Sequence, residues 1–237
     1  MEYRRIGPDE SQDIAARILY EDNHVLVFNK AVGEIVQGDK TGDECLAETL
    51  KAFIAQRDDK PGKVFLGIPH RLDRPVSGIV VFAKTSKALS RFSVMFRTGD
   101  IHKTYWALCC DSPKEESGEL RGWLSRNEKM NKSFIVKEGT HGAKEARLLY
   151  KTMGKTDRYT LIEDQLLTGR HHQIRCQLSG MGCVIKGDLK YGAPRSNPDG
   201  GICLHSHEIK FVHPVRKDEM DIIAPPPLSW KGVERFL

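Results

Sequence analysis

Residues 78–83 read GIVVFA, with no polar side chain, and this run limits what the chain can fold into. It is too short for a buried helix and rich in β-branched residues, so it predicts a strand buried in a sheet. Just before it comes HRLDRPVSG (residues 70–78), and before that a second apolar run, KVFLGIP (63–69), also expected to be a strand. A loop that carries an aspartate between two arginines is thus expected to open at the edge of a core. Pro75 restricts its backbone and Gly78 frees it, as a shaped loop requires.

The rest of the chain supplies partners for that strand. Residues 18–30, ILYEDNHVLVFNK, place two short apolar runs around a turn-prone EDNH and predict a strand pair. Residues 44–56 put Leu46, Leu50, Phe53 and Ile54 on one helical face, and residues 86–96 do the same with Leu89, Phe92 and Phe96. Five patterns that predict strands follow without a helix between them: HKTYWALCC (102–110), ELRGWL (119–124), KSFIVK (132–137), AKEARLLYKTM (143–153) and RYTLIEDQLL (158–167). TGRHHQIRCQLSGMG (168–182) then predicts a helix that begins near Gly169 with Thr168 as its cap, and ICLHSHEIKFVHP (202–214) closes the pattern as one or two strands. Consecutive prolines keep APPPL extended. The expected fold is α+β: a mixed, mainly antiparallel sheet with flanking helices. Residues 1–17 are read as an arm or short first helix, and residues 18–237 as one domain.

Composition narrows the function classes. With 39% hydrophobic and 29% charged residues, the 237-residue chain is neither disordered nor fibrous. Its net charge of +5 is compatible with a polyanionic partner without requiring one. The six cysteines show no CxxC spacing, and MEYRRIGPDE lacks the apolar core of a signal peptide, so a reduced cytoplasmic protein is expected. No apolar run reaches the length of about 18 residues that spans a bilayer.

An aspartate between arginines has a bland explanation, a surface turn stapled by an ion pair. Against it stands a second basic cluster, TGRHHQIRCQL, a hundred residues later. A helix starting near Gly169 would put His171, Arg175 and Leu178 on one face and Arg170 at an N-terminus suited to phosphate. A solvated basic helix face is the alternative.

HRLDRPVSG, LLTGRHHQIRCQL, GDLKYG (187–192) and CLHSHEIKFVHP, in this order, resemble the RluA-type family of RNA pseudouridine synthases. ILYEDNHVLVFNKAVG resembles the strand pair that opens the family's catalytic domain, and KTYWAL its KxYxA segment. The likeness runs from about Ile18 to the LSW near the C-terminus. It departs at Ala31, where the family usually has proline, and at Val76, where many members have threonine. The segment before Ile18 is expected to be too short for the S4 RNA-binding domain of many relatives, which would leave substrate contacts to the catalytic domain.

The resemblance implies isomerisation of uridine within rRNA or tRNA, without cofactor or metal, by a monomer. It makes Asp73 the catalytic carboxylate, Arg175 the cation beside it, and Tyr105 the phenol against the target base. Whether Asp73 acts as nucleophile or base stays open. Arg71 would enter the space left by the extruded nucleotide, with His70 beside it. Ile174 and Leu204 would pack around the base, and Arg170, His171, Lys186 and Lys190 would contact the backbone. Two rival classes are a noncatalytic RNA-binding protein on the same scaffold and a metal enzyme. The second is prompted by HSH (205–207) and the pair His171–His172, yet no carboxylate or cysteine stands nearby at a recurrent ligand spacing.

Overall fold

The computed structural model describes residues 3–38 and 42–236, so Met1, Glu2 and Leu237, at the ends of the arm and the domain expected from sequence, lie outside the described residues. The elements are α1 (Pro8–Ala16), β1 (Ile18–Glu21), β2 (Val25–Lys30), α2 (Leu46–Arg57), β3 (Ser77–Ala83), α3 (Ser86–Thr98), β4 (His102–Cys109), β5 (Ser117–Asn127), β6 (Lys132–Val136), β7 (Lys144–Lys155), β8 (Thr160–Leu166), α4 (Gln173–Gly180), β9 (Leu204–Val212) and β10 (Glu219–Ile223). They form two compact units: Met1–Ile101 with Ile209–Ala224, and His102–Glu208 with Pro225–Leu237.

In the first unit the strand order is β1-β2-β3-β9, with β10 on β9. β2 and β3 run antiparallel, from Val25 opposite Ala83 to Lys30 opposite Gly78. Val25, Val27, Ile79, Val81 and Ala83 pack with Phe92 of α3 and with Ile209 and Phe211 of β9. Leu26, Phe28, Val80 and Phe82, on the opposite strand face, are equally buried. Burial on both faces explains why the GIVVFA run has no polar alternation. α3 forms where its apolar spacing predicts it, because Thr85 caps it by accepting the Ala88 N–H and Gly99, at φ 85°, ends it in the left-handed region.

In the second unit the order is β9-β4-β8-β7-β5-β6. The β4–β8, β7–β8, β5–β7 and β5–β6 pairs are all antiparallel. A bulge in β7 between Thr152 and Gly154 is possible because Gly154, at φ 155°, has no side chain: a Cβ there would meet the Phe236 ring at 2.5 Å.

Two expectations need correction. Residues 63–69 do not form a strand; only Gly67 pairs, in a single bridge with Ala83. β3 already lies between β2 and β9, which leaves no free edge for a further flanking strand, and Leu89 of α3 packs so close over Gly67 that a Cβ there would sit 2.7 Å from its Cδ2. The second correction is that α4 begins at Gln173, not near Gly169, and Thr168 caps no helix. Residues 1–17, read as arm or helix, carry α1, with Pro8 in the first turn where its missing N–H is harmless. The strand β10 had no reading from sequence.

Candidate active site

In the first unit, the loop of residues 70–76 is built from below. Lys30, the last residue of β2, is only 1% exposed, yet its ammonium is hydrogen-bonded. Its Nζ donates to the carbonyls of Val76 (2.6 Å), Ala31 (2.8 Å) and Arg74 (3.2 Å). Burial pulls its pKa down to about 8, against the raising influence of the Glu34 and Asp73 carboxylates, so it stays charged at pH 7. The turn closes where Val76 N–H donates to the Asp73 carbonyl at 3.0 Å, and Gly33 N–H holds the Arg74 carbonyl at 2.9 Å. Asp73 is partly buried on this turn, between the exposed Arg71 and Arg74. Arg71 reaches Gln37 Oε1 at 3.3 Å, and Arg74 pairs with Asp43 at 2.8 Å. His70 faces the scaffold: its Nε2 accepts the Val81 N–H at 2.9 Å, and its ring stacks on Phe96 at 4.6 Å.

In the second unit, Tyr105 sits on β4, 7% exposed, directly opposite Asp164 of β8. Asp164 in turn lies opposite Tyr150 of β7. The Asp164 carboxyl is fully buried and neither oxygen has a hydrogen-bond partner among the described residues. Desolvation, with a smaller push from Glu163, holds its pKa well above the usual carboxylate range.

The turn before α4 is shaped by one side chain. Gln173 Oε1 accepts from the Thr168 hydroxyl (2.8 Å) and the Arg170 N–H (2.9 Å), while its Nε2 donates to the Arg147 carbonyl at 3.0 Å. The chain therefore turns through residues 168–172 instead of coiling, and His172 takes φ 53°, left-handed, at the helix start. Its imidazole is buried 3.1 Å from the Tyr191 hydroxyl, and burial together with the Arg175 charge pushes its pKa down to about 2. The neighbouring His171 stacks on it at 3.8 Å and contacts Ser133 Oγ through Nδ1 at 2.9 Å. Tyr191 ties this turn to β6, donating to the Ser133 carbonyl and accepting the Ser133 N–H.

Starting at Gln173 also aims Arg175 inward. Its guanidinium, 5% exposed, makes a bidentate pair with Asp188, Nε to Oδ2 at 2.7 Å and Nη2 to Oδ1 at 2.9 Å, above the Tyr191 ring. Ile174 and Leu204 are both buried, at 4%. Arg170 is exposed and bonds the Glu145 carbonyl through Nε. Lys186 lies over the Tyr159 ring, and Lys190 holds the carbonyls of Met130 and Asn131 at the tip of the β5–β6 hairpin. In the HSH segment, His207 stacks on Trp106 at 3.8 Å and His205 packs against Trp230. Among the described residues no group of three or more histidines, cysteines or carboxylates is placed to hold a metal.

The sequence reading missed Lys30, Gln173, Asp164 and Asp188. A charged residue ending the all-apolar VLVF run was the available signal for Lys30, and two acids in succession on an apolar strand the signal for Asp164.

Residues 24–180 match the family model of the RNA pseudouridylate synthases. A tRNA pseudouridine synthase C of Vibrio vulnificus is 33% identical over 92% of this chain and 94% of its own length. A ribosomal large subunit pseudouridine synthase C of Vibrio parahaemolyticus is 34% identical over 88% of this chain, which spans 65% of that relative. A solved structure, human RNA Pseudouridylate Synthase Domain Containing 4, shares the fold with a TM-score of 0.79 at 23% identity, covering 95% of each chain. The chain belongs to the RNA pseudouridylate synthase family, in its RluA-type branch, and is an enzyme of that isomerase class. Its α+β fold, mixed and mainly antiparallel, is the one the sequence predicts. None of its described helices is long and apolar enough to cross a membrane.

Proposed function

We propose that this protein converts specific uridines of a structured rRNA or tRNA to pseudouridine in the cytoplasm, with Asp73 as the catalytic carboxylate. The bond from C1′ to N1 of uracil breaks, the base turns, C1′ joins C5, and the C5 proton is lost to a base while N1 gains one. No group is transferred to water, and the side chains alone suffice as acid and base. Arg175, its Nε and Nη2 edge fixed by Asp188, is the cationic member of the catalytic set, and Tyr105 takes the C5 proton. Arg71 occupies the stack left by the extruded nucleotide, and Arg170, His171, Lys186 and Lys190 contact the backbone.

The observation that carries this reading is the turn under Asp73. A buried ammonium with three carbonyl ligands holds an acidic residue rigidly between two exposed guanidinium groups. A surface ion-pair staple has no need of such a support. The test compares wild type with Asp73→Asn on unmodified rRNA and tRNA transcripts labelled with tritium at C5 of uridine. Tritium release by wild type and none by the variant is expected; equal release from both removes Asp73 from the mechanism. Mapping pseudouridines in cells with and without the gene names the position.

A further inference from the structure

Within the first unit, the chain that leaves Lys30 is anchored at both ends. Residues 31–37 run from β2 toward α2, where the carbonyls of Ile35 and Val36 accept the N–H groups of Leu46 (2.8 Å) and Ala47 (3.3 Å). The helix needs them, because Cys45 at its start offers no side-chain cap. Near Lys30 the connection meets the catalytic turn, since Gly33, at φ 87°, gives its N–H to the Arg74 carbonyl. Between these anchors Glu34 Oε2 accepts the Ala31 N–H at 2.8 Å. The carbonyl of the same Ala31 accepts from Lys30 Nζ, also at 2.8 Å. Ala31 is thus clamped on one side by a carboxylate and on the other by the ammonium that supports the Asp73 turn.

Glu34 is itself fixed. Arg17 Nη1 donates to its Oε1 (2.9 Å) and Oε2 (3.0 Å), while Arg17 Nη2 pairs with Asp13 at 2.8 Å and the guanidinium lies 4.8 Å over the Phe28 ring. The Arg17 carbonyl accepts the Asn29 N–H at 2.9 Å, which ties this support to β2. An exposed Arg–Glu staple contributes little to stability, and it has no need of a third contact to the peptide beside a buried ammonium. Four charges surround Lys30. Glu34 and Asp73 favour its ammonium, Glu34 more strongly, while Arg17 and Arg74 oppose it. Each of those arginines carries its own carboxylate, Glu34 with Asp13 for Arg17 and Asp43 for Arg74.

We propose that Glu34 is a positioning residue for the reaction, whose carboxylate orients the Ala31 peptide and balances the Lys30 ammonium and thereby fixes the turn that carries Asp73. The inference rests on the catalytic role given to Asp73 above. Glu34 acts through Lys30, whose pKa of about 8 means that the ammonium is present below that pH and lost above it. Without Glu34 the Arg17 charge stands unopposed beside it, and the loss moves toward neutral pH.

Glu34→Gln keeps an acceptor for the Ala31 N–H and removes the charge, and Glu34→Ala removes both. Single-turnover tritium release from the transcripts above is followed between about pH 6 and pH 9, with Lys30→Met reporting any fall that belongs to the RNA. The wild-type rate is expected to fall with a midpoint near 8. Glu34→Gln should lower that midpoint by about one pH unit, which makes the rate about fivefold below wild type at pH 8 and about twofold or less below it at pH 6. KM should change by less than about twofold in both variants. Glu34→Ala should show the same midpoint shift with a rate about tenfold lower at pH 6. NMR of protein isotopically labelled at lysine Cε, with the Lys30 signal identified by its loss in Lys30→Met, reads the same midpoint without RNA. A midpoint unmoved in Glu34→Gln, or a fall at the same midpoint in Lys30→Met, overturns the positioning role. If Glu34→Gln does not fold, an unmoved midpoint in Glu34→Ala overturns it equally. No tritium release by wild type on any transcript overturns the catalytic reading and the role with it, even where the Lys30 signal shifts.

Discussion

Lys30→Met tests whether the turn under Asp73 is held in place by the buried ammonium or merely tolerates it. The pKa fall from 10.5 to about 8 means that burial disfavours the charge by about 3 kcal/mol, at 1.36 kcal/mol per unit. Methionine removes that penalty at nearly the same length. It also strips three carbonyls of their donor, at about 1–3 kcal/mol for each that stays dry. Only the Val76 carbonyl bond is fully buried; those to Ala31 and Arg74 lie nearer the surface, where water replaces the ammonium. The two effects nearly cancel, and urea unfolding should show a stability change within about 2 kcal/mol. Catalysis has no such compensation, because the turn carrying Asp73 loses the atom that its strands converge on. A displacement of about 1 Å there lowers kcat by about 10- to 100-fold, with less effect on KM. Tritium release under single-turnover conditions measures the step directly. A folded Lys30→Met protein with wild-type kcat would refute the argument, as the buried lysine would then be a packing residue with an awkward charge.

Three other outcomes follow from individual contacts. Asp164→Val should stabilise the protein by about 1–3 kcal/mol at pH 7, since it removes a buried carboxyl without a partner. Because the folded pKa of Asp164 is raised, the folded state binds more protons, so stability is present below the unfolded value of 3.8 and is lost as pH rises through the folded one. The gain from Asp164→Val should consequently be smaller near pH 3 than at pH 7, and a gain independent of pH would refute the assignment. Asp188→Ala leaves Arg175 as a buried charge without its bidentate partner and should cost about 3–5 kcal/mol in urea unfolding. RNA affinity should fall with salt, and Arg71→Ala should reduce the slope of log K against log salt by about one.

What the sequence disclosed follows from how local each determinant is. β3 was legible because six consecutive apolar residues admit few other structures, and α3 because Thr85, its apolar spacing and Gly99 all lie within its own segment. The KVFLGIP run has strand composition as well, but strand formation needs an edge to pair with, and β3 already lies between β2 and β9. α4 was misplaced for a similar reason. Ile174 and Leu178 fit a helix that starts at either point, and Thr168 is an ordinary capping residue. The choice falls to the Gln173 side chain, which captures the Thr168 hydroxyl, the Arg170 N–H and the Arg147 carbonyl, the last on another strand. No pattern within the segment encodes that third contact.

The same locality governs the charges. In HRLDR the neighbours in sequence suggest that Asp73 is flanked by its own partners, yet Arg71 bonds Gln37 and Arg74 bonds Asp43, both from the connection between β2 and α2. The cation beneath the turn is Lys30, more than forty residues earlier, delivered by the antiparallel register that sets Lys30 against Gly78. Arg175 likewise takes its carboxylate from the Gly187–Gly192 segment, not from within its helix. Adjacent residues on an extended loop point apart, so a charge that must be held still is held by an element that crosses beneath it. A sequence motif of this kind locates the reacting group, while the residues that fix its orientation are found only where the register of the sheet brings them.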